Sequence, residues 1–198
     1  MKKSFILIFI TSIVLLFSTG CSNKQDTMND DDEMSIYVDP EYDGAPKWIS
    51  SPKMAGKIVE LGSAPKNIAQ DYAFQREEAV ANARNNLARR MSVNVSNMFK
   101  TFKSTTGINE NGTFDKVIES VSKQVSSEVL KDSVVEKMWI SKSKTMYVLV
   151  SLDSNEFKSQ VKSISKSSFK NEDALYQKYL ADDSDAKLDA MIDKLNDE

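Results

Sequence analysis

The sequence predicts an α+β fold: a small, mainly antiparallel three-stranded sheet with long helices packed on one face, in the order β-α-α-β-β-α, followed by a C-terminal helical tail. Three observations predict it. Val80, Ala83, Leu87, Met91, Val95, Met98 and Phe102 recur at steps of three or four, the mark of a long amphipathic helix. The runs VVEKMWIS and TMYVLVSLD, joined by a short polar turn at Lys142 to Lys144, read as a hairpin. So few strands can hardly form both layers of a sandwich, so helices must cover the sheet.

The elements follow in order. GAPKWISSP (Gly44 to Pro52) places Trp48 and Ile49 between two prolines, which favours an extended arm with an aromatic anchor. KIVELGSAP (Lys57 to Pro65) is β-branched and apolar, closed by Gly and Pro, and reads as a strand. Asn67 and Gln70 resemble a capping box, opening a helix from Ile68 to Phe102. Ala69, Ala73, Ala79 and Ala88 give that helix a small-residue face, and its Asn- and Ser-rich second half predicts a break near Ser92 to Asn97. Ser104 to Thr113 is a loop by composition. Asn111-Gly112-Thr113 within it is a formal glycosylation sequon, read here as turn chemistry. Phe114, Val117, Ile118, Val121, Val125 and Val129 mark a second helix, rich in poor helix formers and so held by packing. After the hairpin, Asp153 and Glu156 cap a third helix with Phe157, Val161 and Ile164 inward. The charged tail carries Leu188, Ile192 and Leu195 at helical spacing, a stripe the core does not obviously need and a candidate interface. The far face of the sheet and its edges are expected to be open, which invites self-association.

The N-terminus reads differently. Lys2 and Lys3 precede Ser4 to Phe17, a run of 14 residues apolar except for Ser4, Thr11 and Ser12. A spanning helix needs about 20 apolar residues, so this run matches the core of a signal peptide instead. Ser18, Thr19 and Gly20 lead into Cys21, the only cysteine. That junction resembles the bacterial lipoprotein signal, with Ser18 where Leu is usual. The resemblance implies cleavage between Gly20 and Cys21 and a diacylglycerol on the Cys21 thiol. The alternative is a secreted protein with one free thiol, a liability in an oxidising compartment that lipidation removes. Several fatty chains on one residue would anchor the protein stably without spanning the bilayer. The same resemblance implies sorting to the outer membrane, because Ser22 stands where an Asp would favour inner-membrane retention.

Four regions result: a signal peptide over 1–20, the lipidated cysteine and an acidic tether over 21–43, an α+β domain over 44–168, and a helical tail over 169–198. The tether, with Asp30 to Glu33 and few apolar residues, reads as a solvated coil spanning about 25 Å. Cation binding by its acidic block is the other reading, but the glycine and distal Glu of a calcium loop are missing.

Composition narrows the function. Loss of residues 1–20 removes Lys2 and Lys3 and no acid, so 26 basic and 29 acidic side chains become 24 and 29, a formal charge of −5. An acidic chain lacks the footprint for nucleic acid. With no histidine and the cysteine acylated, no Cys/His zinc site, Ser-His-Asp triad or Cys-His pair can be built, which leaves carboxylate-only chemistry and oxygen-ligand cations. No cofactor and no catalysis are expected. Met91, Met98, Met138 and Met146 read as core rather than metal ligands, and Trp48 and Trp139 as packing rather than a ligand platform.

In order, GAPKWI, ELGSA, AVANARNNLARRM and WISKSKTMYVLVSLD resemble the Lpp-twenty-like family, outer-membrane lipoproteins of curved and spiral Gram-negative bacteria. The resemblance covers about residues 44–162. It implies an α+β domain, membrane anchorage, no known catalysis and, through a flagellar basal-disc relative, self-assembly. Within it Arg84 and Asn85 are the best surface candidates for an interface, with a neighbouring copy or another envelope protein as partner. A small binding module for a ligand or envelope component is the alternative; its mark would be a concave apolar pocket beside the sheet.

Overall fold

The computed structural model describes residues 39–107, 112–172, 176–177, 179–180 and 184–195. Gly20 and Cys21, the signal, most of the tether and Asn111 of the sequon lie outside the described residues. The elements are α1 (Lys47–Ser50), β1 (Lys57–Ala64), α2 (Tyr72–Thr106), α3 (Thr113–Asp132), β2 (Val134–Ile140), β3 (Met146–Asp153), α4 (Ser154–Lys170) and α5 (Ser184–Asp193). The sheet order is β1-β3-β2, every pair antiparallel. The α+β class and the β-α-α-β-β-α order thus hold, with a short extra helix in front.

Helix α2 organises the molecule. It runs unbroken for 35 residues, roughly 52 Å at 1.5 Å per residue. Its first half lies on β1 and β3, and its second half packs against α3 and α5. The expected break near Ser92 to Asn97 does not occur. Val95, Met98, Phe99 and Phe102 are buried there, and that packing outweighs the weak propensity of Ser, Val and Asn. The helix start also differs from the sequence reading. Asp71, not Asn67, is the N-cap, accepting from the N–H groups of Ala73 (2.9 Å) and Phe74 (3.1 Å). Asn67 instead accepts from the Asp71 N–H at 2.9 Å, so it orders the turn before the cap. At the other end Gly107 adopts φ 66°, a left-handed closure that suits glycine.

Beyond the sheet, the helices close a second part of the core around rings. Phe169 stacks on Tyr179 at 4.7 Å, and Phe99, Phe102 and Phe114 surround them. Asp153 caps α4 as expected, accepting from Asn155 and Glu156 N–H, both at 2.9 Å.

Two expectations need correction. The far face of the sheet is not left open. Val59 and Leu149 are buried on it, and the arm before β1 lies against it, with Tyr42 6.0 Å from Tyr147 and the Tyr147 hydroxyl donating to Glu41 at 3.0 Å. Burial, then the contact with Tyr42, push the Tyr147 phenol well above its usual value. The arm is also not extended throughout: Lys47 to Ser50 form one helical turn that buries Ile49, with Pro46 preceding its first residue.

Candidate functional site

Within AVANARNNLARRM of α2, Ala83, Leu87, Ala88 and Met91 are buried, and several of its polar side chains bind neighbouring backbone. Edge strands expose carbonyls that can template pairing with another chain. On β1, three such carbonyls are occupied by one stripe of α2. Asn82 Nδ2 donates to Ser63 O at 2.9 Å, Asn86 Nδ2 to Leu61 O at 3.0 Å, and Arg90 Nη2 to Val59 O at 2.9 Å. The donors are four residues apart on the helix and the acceptors two apart on the strand, so both periods come into step. Arg90 also pairs with Glu60 at 2.7 Å. This clamp was missed from sequence; the signal was Asn82, Asn86 and Arg90 at steps of four, opposite a strand of matching length.

The clamp needs α2 close to β1, and Gly62 allows it. A Cβ on Gly62 would sit 2.1 Å from the Ala83 nitrogen and 2.5 Å from the Ala79 carbonyl oxygen. Glycine on the strand and alanines on the helix bring the two backbones together. Gln75, buried near the helix start, finishes the seam by donating to Ala64 O (3.0 Å) and Lys144 O (2.7 Å).

Arg84 and Asn85 lie on the other flank of α2. Arg84 is half-buried and donates through Nη2 to Ser133 O at 3.1 Å, tying α2 to the junction of α3 and β2. Its Nε is buried without a partner. Asn85 is exposed on the rim of a groove of about 470 Å³ that also touches Val80, Leu130 and Val135. Met138 and Val134 of β2 are exposed as well.

Leu188, Ile192 and Leu195 do not face a partner. All three are buried in the chain's own core, with α5 lying against α2 and α4. A stripe that looked surplus fills the gap left beside the long half of α2. Charge sets the register of α5 on α4. Lys166 pairs with Asp185 at 3.0 Å, Lys162 with Asp189, and Lys158 donates to the Asp193 carbonyl. Tyr179 donates to Asp185 at 2.5 Å. That bond, then Lys166, hold the Asp185 carboxyl below its usual range.

Catalytic geometry is sparse. Glu136 accepts from Lys57 (2.5 Å) and Ser151 (2.6 Å), which lower its pKa, and Glu41 is lowered by Ser141 and Ser143. Each is engaged with lysine or hydroxyl partners, not with a second carboxylate. Among the described residues no cluster of three or more Asp, Glu, Cys or His could hold a metal. Trp139 packs across the hairpin on its register partner Tyr147, with ring centroids 5.5 Å apart. A hollow of about 1160 Å³ forms an open groove between the start of β1, the middle of α2 and the end of α5. Its lining is mixed, with Lys53, Lys57 and Arg90 beside Met54, Ile58 and Met98, so polar and apolar side chains share it about equally. No helix among the described residues is long and apolar enough to cross a membrane.

Comparison with curated proteins and with solved structures finds no match. A family model described as LPP20 lipoprotein does match, over residues 46–153, more than half of the chain. Those residues run from the arm through β3, and so contain the sheet, the clamp and the Gly62 crossing. The chain belongs to the LPP20 lipoprotein family.

Proposed function

We propose that the protein is a structural or assembly lipoprotein of the cell envelope, held to the outer membrane by lipid on Cys21. Membership of a lipoprotein family carries this reading, because it gives the Ser18-Thr19-Gly20-Cys21 junction its meaning. Cleavage falls between Gly20 and Cys21, and Ser22 directs the mature chain to the outer membrane. The role is assembly rather than catalysis. Its partner is a second copy or another envelope protein, engaged beside Arg84 and Asn85, where the groove is lined by exposed Leu130 and by Val135 of β2. A place near the flagellar base follows from the flagellar relative alone.

Cys21→Ser tests the anchor, since only the thiol can take the diacylglycerol. The variant should leave the membrane fraction for the soluble one, while the wild type resists a high-salt wash and bands with outer membrane on a density gradient. A Ser variant as membrane-bound as the wild type would sink the reading. Sedimentation of the detergent-solubilised wild type reports self-association directly.

A further inference from the structure

We infer that one end of the domain is a phospholipid-binding surface, seated on the leaflet that holds the anchor; this rests on the lipid-anchor reading above. The end is defined by connectivity. Ala64, Met146 and Ile140 stand opposite one another in the last row of the sheet. The turn at Ser141 to Thr145 projects beyond that row, and the loop from Pro65 to Asp71 leads from it into α2. Gln75 binds the first turns of α2 to the end of β1 and to the turn between β2 and β3. The arm arrives at the same place, with Glu41 on Tyr147 and Asp43 on Lys142.

This end carries an unusual set of exposed side chains. Ile68 is fully exposed, Tyr72 is 59% and Phe74 57% exposed, and Ile140 in the last row and Tyr42 on the opposite face are exposed at the same end. The large hydrophobics exposed elsewhere among the described residues are Val93, Leu130, Val134, Met138 and Leu180, all without rings. Every exposed aromatic in that set is therefore at one end. Aromatic side chains with a polar tip or a wet edge favour the boundary between headgroups and acyl chains. The charges nearby are mixed, with Lys66, Lys142 and Lys144 against Asp39, Glu41, Asp43 and Asp71. Contact with lipid is thus apolar in origin, not the attraction of a basic patch to anionic lipid.

Connectivity also chooses lipid over other occupants. The described domain begins at Asp39, and residues 22–38 are all that separate it from Cys21. Even fully stretched, that chain reaches at most about 60 Å. An anchor so close presents this end to the bilayer at an effective concentration on the order of millimolar, enough for a weak contact to be populated. The anchor and the contact then act as two signals on one surface. In that arrangement α2 stands away from the membrane, and the α3–α4–α5 end, roughly 50 Å along α2, is free for partners.

The test uses the mature lipidated protein, purified and reconstituted into vesicles of phosphatidylethanolamine and phosphatidylglycerol that contain nitroxide-labelled acyl chains. Lipid consumes the Cys21 sulfur, so Ile68→Cys, Phe74→Cys and, as the distant control, Lys116→Cys each offer one thiol for an environment-sensitive fluorophore. The dye at 68 and 74 should be blue-shifted and quenched by lipid several-fold more than at 116, and the difference should persist in high salt. Equal quenching at all three positions overturns the inference. A dye at 68 shielded from water but not quenched by lipid also overturns it, and assigns the surface to a protein. If the anchor reading itself is wrong, the signature is different: the wild-type chain takes up dye at Cys21 and washes off the vesicles.

Discussion

Gly62 is the residue on which the sheet–helix contact turns. Ordinary overpacking costs about 1–3 kcal/mol because side chains give way. Here the atoms met are the backbone of Ala79 and Ala83, which cannot swing aside. Gly62→Ala should therefore cost at least the upper part of that range and loosen the clamp of Asn82, Asn86 and Arg90. Thermal melting checks the first effect, and hydrogen exchange at β1 the second. A melt unchanged within error would mean that α2 does not approach β1 as described. The sequence reading noticed both halves of this contact, the alanine face and the glycine in ELGSA, without joining them. Periodicity shows which face of an element is small or apolar, not which neighbour that face meets. The same limit hid Gln75, a polar residue on an apolar face. Its partners, Ala64 O and Lys144 O, belong to segments 11 and 69 residues away.

The strongest periodic signals survived at the level of elements. The α2 stripe, the hairpin and the Asp153 cap were legible because each is written in local sequence. The elements misread were those decided by what lies across from them. Weak propensity near Ser92 suggests a break, but burial of Val95, Phe99 and Phe102 keeps the helix continuous through it. The tail stripe looked free because nothing in the earlier pattern asked for it. The complementary rows Lys158, Lys162, Lys166 and Asp185, Asp189, Asp193, each at steps of four, were there to be matched. Exposed pairs of this kind contribute little energy and mainly fix alignment; the burial of Leu188 and Ile192 supplies the stability. Leu188→Ala should cost about 2–5 kcal/mol, as for a fully buried leucine. Its effect should appear in the melting of the domain itself, and not only in any oligomer. A variant that melts like the wild type but sediments as a smaller species would return the stripe to an intermolecular role.

Considered whole, the molecule divides its labour along α2. One end gathers the arm, the turn and the exposed rings; the middle closes the β1 edge; the far end is a ring-lined helical core. The α2 side chains occupy carbonyls on the β1 edge, and β2 is the other edge of the sheet. The proposed role depends on the anchor at Cys21. Intact mass spectrometry of the protein purified from its own envelope tests that most directly. The expected mass is that of residues 21–198 plus a diacylglyceryl group, with or without a further acyl chain on the new amino terminus. A chain of unmodified peptide mass, whether full length or cut elsewhere, would show that no lipid is attached and that the anchored arrangement is wrong.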